Sequence, residues 1–384
     1  VLFTAFEPSG DEHAAAVVRE LAERHSGVRI YAWGGPKMEA AGATLVERTG
    51  DDAVMGMPGI EKIKEHRRIN KRITAWLAEN PVDLHIPVDS PAANFPICKI
   101  TRASGCRIVH LVAPQLWAWG RWRVRKLRRM TSMVLCLLPF EESWFRERGV
   151  PARYIGHPLF DATRQHTTPG AAQPGSPLPE GDPKIALLPG SRPGEIEKNF
   201  PLLVDAFAAL RGERPLTSGV VAATTPAVAD RCRALAGSVA SDLEFVVART
   251  DDALRWADLA IVVSGTVTLQ AAKHGTPMVI VYKASPVAYA LLGWWLIDTE
   301  LFTLPNLVAQ REVVPELVPH FGDARAIIES AKSILRSPER IAEQKRELAL
   351  VVERFGSASA AVAAVDEIEK ILGIVSADEG EPRA

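Results

Sequence analysis

The run KIALLPGSRPGE at residues 184–195 carries a continuous apolar segment that stops at Pro189-Gly190-Ser191-Arg192. A glycine directly after a strand lets backbone N–H groups come close to a ligand. A helix starting within a few residues turns its positive end to the same place. Arg192 adds a planar, permanently charged fork that matches a diphosphate. The same residues also read as a surface turn with a solvated arginine, since short glycine motifs recur by chance. A second loop repeats the chemistry: LAIVVSGTVTLQ runs from a strand through Ser264, Gly265 and Thr266 into a short helix that Ser264 or Thr266 can cap. Two such loops together point to a nucleotide-diphosphate site. Neither contains GxxxxGK[ST], and GxGxxG is absent, which disfavours P-loop and nicotinamide chemistry.

Carboxylates supply the other half of a possible reaction. HIPVDSPAANF places Asp89 at a strand end, where it could accept a proton from a hydroxyl nucleophile or initiate an Asx turn. The FEPSGD loop offers Glu7, Ser9, Gly10 and Asp11 as a helix cap or a binding wall. His110 and His157 lack partners at metal-ligand spacing, so packed histidines and no metal site are expected. Cys98, Cys106, Cys136 and Cys232 show no CxxC spacing and read as buried thiols, with a cytoplasmic setting expected.

These residues need strands to present them. VLFTAF, VRIYAWGG, VDLHIPVD, CRIVHLVAP, SMVLCLLPF and ARYIGHP are expected strands in the first half. KIALLPG, SGVVAATT, LEFVVAR, LAIVVS and PMVIVYK follow in the second. Their apolar runs, alternating with helices, predict parallel sheets covered on both faces. Ser9 to Glu12 reads as a capping box opening the first helix, and Ile196, Phe200, Leu203, Phe207 and Leu210 recur at helical spacing. Final helices are expected near 324–336 and 339–372. The Pro/Gly-rich stretch 161–184 is the linker candidate. At 384 residues, two Rossmann-like doubly wound α/β domains facing a cleft fit the chain.

A net charge of −1 excludes a global field for nucleic acid, so any preference for anions is local. Two stretches are locally basic. GIEKIKEHRRINKRITAWLAE is a basic amphipathic helix, and WAWGRWRVRKLRRM places Arg121, Arg123, Arg125, Lys126, Arg128 and Arg129 beside three tryptophans. Each reads as a solvated helix face, and the pair favours an anionic membrane surface. AYALLGWWLI (288–297) falls short of the ~20 residues that span a bilayer. VLFTAFEPSGD has neither a basic flank nor a cleavage site, so no secretory leader is expected in it.

In this order and spacing, GGPKMEAAG (34–42), AVMGM (53–57), PQLWAWGRWR (114–123), LLPFE (137–141), YIGHPLFD (154–161), LLPGSRPGEI (187–196), SGTVTLQ (264–270), PMVIVYK (277–283) and LPNLVAQREVVPEL (304–317) resemble the lipid-A-disaccharide synthases. These are inverting glycosyltransferases of the two-Rossmann-domain GT-B type. The resemblance implies transfer of diacylglucosamine from its UDP conjugate to the 6-hydroxyl of diacylglucosamine 1-phosphate, forming a β-1,6 disaccharide and UDP without a cofactor. It implies Asp89 as base and Arg192 as the arginine for donor or leaving group. The candidate substrate-binding set is Glu7, Ser9, Gly10, Gly190, Ser191, Glu195, Ser264, Gly265, Thr266, Gln270 and Asn306.

The resemblance also implies an acceptor- and membrane-facing domain at 1–165 and a linker at 166–183. A UDP-sugar domain at 184–340 and a closing helix and tail at 341–384 complete the division. The expected partners are the acylated donor and acceptor and an anionic inner-membrane surface, met from the cytoplasm without crossing it. A homodimer is expected from the resemblance alone, and nucleic acid is not an expected partner. Three segments depart from the family pattern. Phe6 and Pro8 interrupt the first loop, Ala92 and Ala93 replace an aspartate and an aromatic, and Gln270 stands where a glutamate is usual. Another UDP-sugar transferase or epimerase, or a silent membrane-surface protein of the same fold, would carry many of the same residues.

Overall fold

A computed structural model describes residues 1–49, 59–161, 176–286, 289 and 299–374, without the side chains of 59–63. AVMGM, ALLGWWLI, most of the expected linker and the tail lie outside the described residues. The chain divides into two compact units, Val1–Arg164 with Ser357–Ala384, and Gln165–Gly356.

The first unit contains β1 (Leu2–Thr4), β2 (Tyr31–Gly34), β3 (Thr44–Arg48), β4 (Leu84–Pro87), β5 (Arg107–Leu111), β6 (Met133–Cys136) and β7 (Ala152–Tyr154). They form one parallel sheet of order β3-β2-β1-β4-β5-β6-β7. Alternate residues of each strand face opposite layers. Phe3 and Ile86 pack toward the first and last helices, and Leu2 packs with Trp33, Ile69, Ile73 and Leu77 on the other side. The second unit contains β8 (Lys184–Leu188), β9 (Ser218–Ala223), β10 (Leu243–Val247), β11 (Leu259–Val263), β12 (Met278–Lys283) and β13 (Glu316–His320). They form a parallel sheet of order β10-β9-β8-β11-β12-β13. Ile196, Phe200, Leu203, Phe207 and Leu210 are all buried against it, as their spacing predicts. In each sheet the order reverses beside the unit's first strand, β1 or β8. Folds of this kind bind ligands outside the carboxyl ends of the strands at that reversal.

Several boundaries differ from expectation. The first helix spans Pro8–Arg24 with Glu7 at its N-cap position, so Ser9 sits inside the first turn and no capping box forms. Proline in the first turn, with fixed φ and no N–H to satisfy, starts the helix instead. The expected helix over 339–372 is two helices, Pro338–Glu353 and Ala360–Leu372, broken at Gly356 with φ 63°. The first of them belongs to the second unit. The second returns to the first unit, burying Ala364, Val365 and Ile368 in the cluster that contains Val18 and Leu21. Residues 176–183 pack on the second unit: the Trp256 indole donates to Pro179 O at 3.0 Å and Ser218 Oγ to Glu180 O at 2.6 Å. Four cysteines are free and buried.

Candidate active site

In the first unit, β1 and β4 run side by side and their ends carry the expected residues. Glu7 follows β1, and its carboxylate accepts from Ser90 Oγ at 3.0 Å, tying the two strand ends together. Gly10 is buried where a Cβ would stand 3.4 Å from Ala5 Cβ and 3.6 Å from Val88 Cγ1, so the first helix packs directly on both strand ends. Ser9 is exposed. Asp89 donates its N–H to Leu111 O at 2.9 Å, and then the chain turns sharply. Asp89 and Ser90 both take positive φ, 46° and 36°, before Pro91 opens the helix Pro91–Ala103. Two consecutive non-glycine residues in that region need support from their surroundings.

Asp11 has a different place from Asp89. Its buried carboxylate accepts from the N–H groups of Gly35, Lys37 and Met38 at 3.0–3.1 Å. Those are unpaired donors at the start of the helix Pro36–Ala40, so Asp11 caps a distant helix rather than lining a binding wall.

In the second unit, the two glycine loops leave adjacent strands. β8 pairs with β11 through Leu188 and Val262, and the loops begin immediately beyond. Gly190 has φ 88°, which favours glycine, and lies 3.8 Å from Val263 when a Cβ is placed on it. Ser191 and Arg192 are exposed, and Arg192 opens the 21-residue helix Pro193–Glu213. The Arg192 guanidinium donates to Glu195 Oε1 at 3.0 Å. With Arg192 57% exposed, that pair is worth at most about 1 kcal/mol and leaves the arginine able to turn to a stronger partner. Tyr282 also donates to Glu195 at 3.4 Å, and Asn199 joins the helix to β12 through Lys283 N at 2.6 Å.

In the second loop, Ser264 is half-buried and donates its N–H to Val281 O at 3.0 Å, while Gly265 and Thr266 are exposed. Thr266 takes helical dihedrals without a side-chain cap. The hydroxyl that meets the loop is that of Thr268, donating to Gly265 O at 2.8 Å. Gln270 lies half-buried on the same short helix. Asn306 is fully buried: its amide donates to Val314 O and Glu316 Oε2, and its oxygen accepts from the N–H groups of Val313 and Val314. Its hydrogen-bonding capacity is spent on shaping that loop. Any influence on a ligand passes through the backbone it holds.

One residue carries more than its motif implied. Glu141, in LLPFE, is buried, with Trp117 Nε1 donating to one oxygen at 2.9 Å and Leu138 N to the other at 3.0 Å. Burial pushes its carboxyl up to about 7, and the nearby Asp89 charge adds to the rise. A carboxyl following four apolar residues was the available signal.

The basic stretches separate on inspection. Ile69, Ile73 and Leu77 of the helix Gly59–Glu79 are buried in the first unit's own core, so the apolar face of that part of the helix is covered. Arg72 clasps Glu47 through two bonds of 2.7 Å. In the other stretch Trp117 is buried, but Trp119 and Trp122 are 46% and 64% exposed, and the Arg123 guanidinium lies 4.0 Å from the Trp119 ring. Among the described residues no helix is long and apolar enough to cross a membrane, and no cluster of metal-binding side chains occurs.

A family described as lipid-A-disaccharide synthetase matches residues 1–365. The chain belongs to this family. Lipid-A-disaccharide synthases of Solibacter usitatus and Myxococcus xanthus are 35% and 34% identical to it, covering 96% and 97% of this chain and 97% of each relative. Solved structures share the fold at low identity. A putative UDP-N-acetylglucosamine 2-epimerase from Listeria monocytogenes has TM-score 0.66 at 14% identity, covering 100% of this chain and 97% of its own. Arabidopsis thaliana UGT89C1 has TM-score 0.59 at 14% identity, covering 96% and 98%. This member of the lipid-A-disaccharide synthase family is therefore a hexosyltransferase of lipid A biosynthesis with the two-sheet architecture of GT-B glycosyltransferases and related epimerases.

Proposed function

We propose that the first unit presents Asp89 as general base to the acceptor, diacylglucosamine 1-phosphate, and that the second unit holds UDP-diacylglucosamine by its diphosphate. The observation that carries this reading is topological: Asp89 and the loops at Gly190–Arg192 and Ser264–Thr266 all follow strands at the reversal of strand order. A solved UDP-N-acetylglucosamine 2-epimerase from Neisseria meningitidis, TM-score 0.65 at 15% identity and covering 96% of this chain and 98% of its own, is bound to UDP-GlcNAc, which supports a UDP-sugar ligand for this fold.

The acceptor 6-hydroxyl oxygen attacks the anomeric carbon and its proton passes to Asp89. The bond from that carbon to the diphosphate oxygen breaks, UDP leaves with the electron pair, and the configuration inverts to β. Arg192 and the start of the helix Pro193–Glu213 meet the charge growing on UDP. Glu195 holds Arg192 until the diphosphate replaces it, and Ser191, Ser264, Gly265 and Thr266 line the nucleotide side. Glu7, Ser9 and Gly10 shape the acceptor side with Asp89. Gln270 faces the ribose. Removing Arg192 should cost on the order of 3 kcal/mol of transition-state stabilisation, a hundredfold or more in rate.

Exposed Trp119 and Trp122 among arginines suit the headgroup layer of an anionic membrane. That face and the family resemblance support docking on the cytoplasmic face of the inner membrane, and the resemblance alone supports a homodimer. The test is mass-spectrometric detection of disaccharide and UDP from diacylated donor and acceptor in detergent micelles, with Asp89→Ala and Arg192→Ala alongside. Product from wild type and a large loss in both folded variants is the expected result. No product from folded wild type across several acyl lengths would overturn the substrate assignment.

A further inference from the structure

Beneath Asp89 lies a chain of buried polar groups that the proposed reaction does not itself use. Thr4, His85, Asn94 and Thr101 are all completely buried. The Asn94 amide nitrogen donates to two successive carbonyls, Val88 O and Asp89 O, each at 2.9 Å. Both of its protons are thereby used, so the Asn94 oxygen is the acceptor of Thr4 Oγ1–H at 2.8 Å. With its proton given to Asn94, Thr4 must accept from His85 Nε2, 2.9 Å away. Burial, with His110 as a like charge nearby, keeps His85 neutral. Its Nδ1 therefore accepts from Thr101 Oγ1 at 2.9 Å, nearer than that hydroxyl's other acceptors, Ile97 O at 3.2 Å and Cys98 O at 3.4 Å. Every donor direction follows from the one before, and the relay runs from Thr101 to the Asp89 carbonyl.

An isolated asparagine amide could turn by half a rotation and point its oxygen at the two carbonyls. The two carbonyls oppose this, since an amide oxygen facing them would lose both bonds, and the Thr4 hydroxyl donating to the other side adds to the preference. The carbonyls in question belong to the residue that begins the left-handed Asp89–Ser90 turn and to the residue before it. Neither turn residue is glycine, so the conformation persists only if something outside it holds it. Backbone bonds from Val88 N to Thr4 O and from Asp89 N to Leu111 O, both 2.9 Å, fix the N–H side of this segment. Asn94 fixes the carbonyl side.

We propose that Asn94 is a positioning residue for the transfer reaction: held in one orientation by its two carbonyl acceptors and backed by the Thr4–His85–Thr101 relay, its amide holds the left-handed turn that carries the Asp89 carboxylate. This rests on the reading of Asp89 as the base. Removing the clamp frees the turn to relax toward ordinary dihedrals and misplaces the carboxylate. Misplacement on the scale of an ångström slows chemistry without weakening binding.

The experiment uses the full chain with Asn94→Ala, Thr4→Val and, as reference, Asp89→Ala. Steady-state kinetics with diacylated donor and acceptor in micelles are read with UDP affinity by calorimetry and the thermal midpoint. Asn94→Ala should lower kcat about thirtyfold, equivalent to about 2 kcal/mol. Thr4→Val keeps the side-chain volume and both carbonyl bonds but leaves the Asn94 oxygen without its donor and loosens the amide, so it should lower kcat about fivefold. KM for both substrates and UDP affinity should stay within about twofold of wild type, a split that general loosening of the core would not produce. If Asn94→Ala does not fold, Thr4→Val decides. A folded variant with kcat within twofold of wild type, beside an inactive Asp89→Ala, overturns the positioning role. Full activity of Asp89→Ala overturns the base assignment instead, and with it the reason for the clamp.

Discussion

Acidification from pH 7 to pH 5 should loosen the first unit selectively. Burial holds its His85, His110 and His157 far below the usual histidine range, at about 3, about 4 and about 3. In an unfolded chain each takes up a proton near 6.5. A folded value below the unfolded one gives stability that is present above pH 6.5 and lost as pH falls toward the folded value. At pH 5 each unfolded histidine is almost fully protonated and each folded one is not, which costs about 2 kcal/mol apiece and roughly 6 for the three. Glu141 acts in the opposite sense. Its folded carboxyl, at about 7, takes its proton well before an unfolded glutamate, contributing about 2 kcal/mol over the same descent. The net loss is on the order of 3–4 kcal/mol, a large share of a typical domain's 5–15. In the second unit, the depressed carboxyls of Asp251 and Asp252 cost stability only below about pH 4. Hydrogen exchange read by mass spectrometry, corrected for intrinsic rates, separates the units. Peptides covering β4 and β5 should lose protection by roughly two orders of magnitude between pH 7 and pH 5, while those covering β8 and β11 change only a few-fold. Equal losses in both units, or first-unit protection steady within threefold, would refute the reasoning.

Glu141→Gln removes the ionisable group whose raised value makes wild type lose stability as pH rises from about 4.3 to 7. Relative to wild type, the variant should therefore gain about 3 kcal/mol between pH 5 and pH 8 in urea unfolding, and a constant difference would sink the idea. Asp11→Ala leaves three N–H groups at the start of the helix Pro36–Ala40 without their acceptor, costing about 3 kcal/mol or more; an unchanged thermal midpoint would count against the cap. Gln270→Glu restores an acceptor for both ribose hydroxyls and should tighten UDP about fivefold by calorimetry, about 1 kcal/mol, with no change refuting its place at the ribose. Replacing Trp119 and Trp122 by Ala should lower co-flotation with phosphatidylglycerol vesicles several-fold at an unchanged thermal midpoint, since both rings are largely exposed; undiminished binding would move the docking face elsewhere.

The interior strands were legible because a buried parallel strand needs apolar side chains on both faces. KIALL, LAIVV and MVIVYK show that demand as unbroken runs. Two of the edge strands, β3 and β13, escape the same rule. TLVER at β3 is half-exposed, and ELVPH at β13 contains Pro319, which demotes a run in sequence but is tolerated where one edge has no partner. The basic helix is legible as a helix, but what covers its apolar residues is not. Periodicity states that Ile69, Ile73 and Leu77 lie on one side, while whether lipid or protein covers that side depends on Leu2 and Trp33, far away in the chain. The glycine loops were found because a strand, a glycine and a helix start are consecutive, so local sequence contains the whole motif.

Asp11 and Asp89 show where local reading runs out. Each is an aspartate within a few residues of a strand at the same reversal of the first sheet, and each was open to reading as a cap or as part of a site. What the fold does with each depends on groups brought from elsewhere in the chain. The helix start at Gly35–Met38 brings three N–H groups to Asp11 and consumes its charge in the fold. At Asp89 the fold also holds the backbone: the Asn94 amide donates to the carbonyls of Val88 and Asp89 and supports an unfavourable turn. Investment in the main chain of a strained acidic residue is what a positioned carboxylate requires, because geometry is fixed while the side chain keeps its chemistry. Thr4, His85 and Thr101 read in sequence only as polar residues within or beside apolar runs, separated by as many as 97 positions, and nothing local marks them as one relay. Only the parallel pairing of β1 with β4, which sets Leu2 against His85 and Thr4 against Pro87, brings the histidine within reach of the threonine.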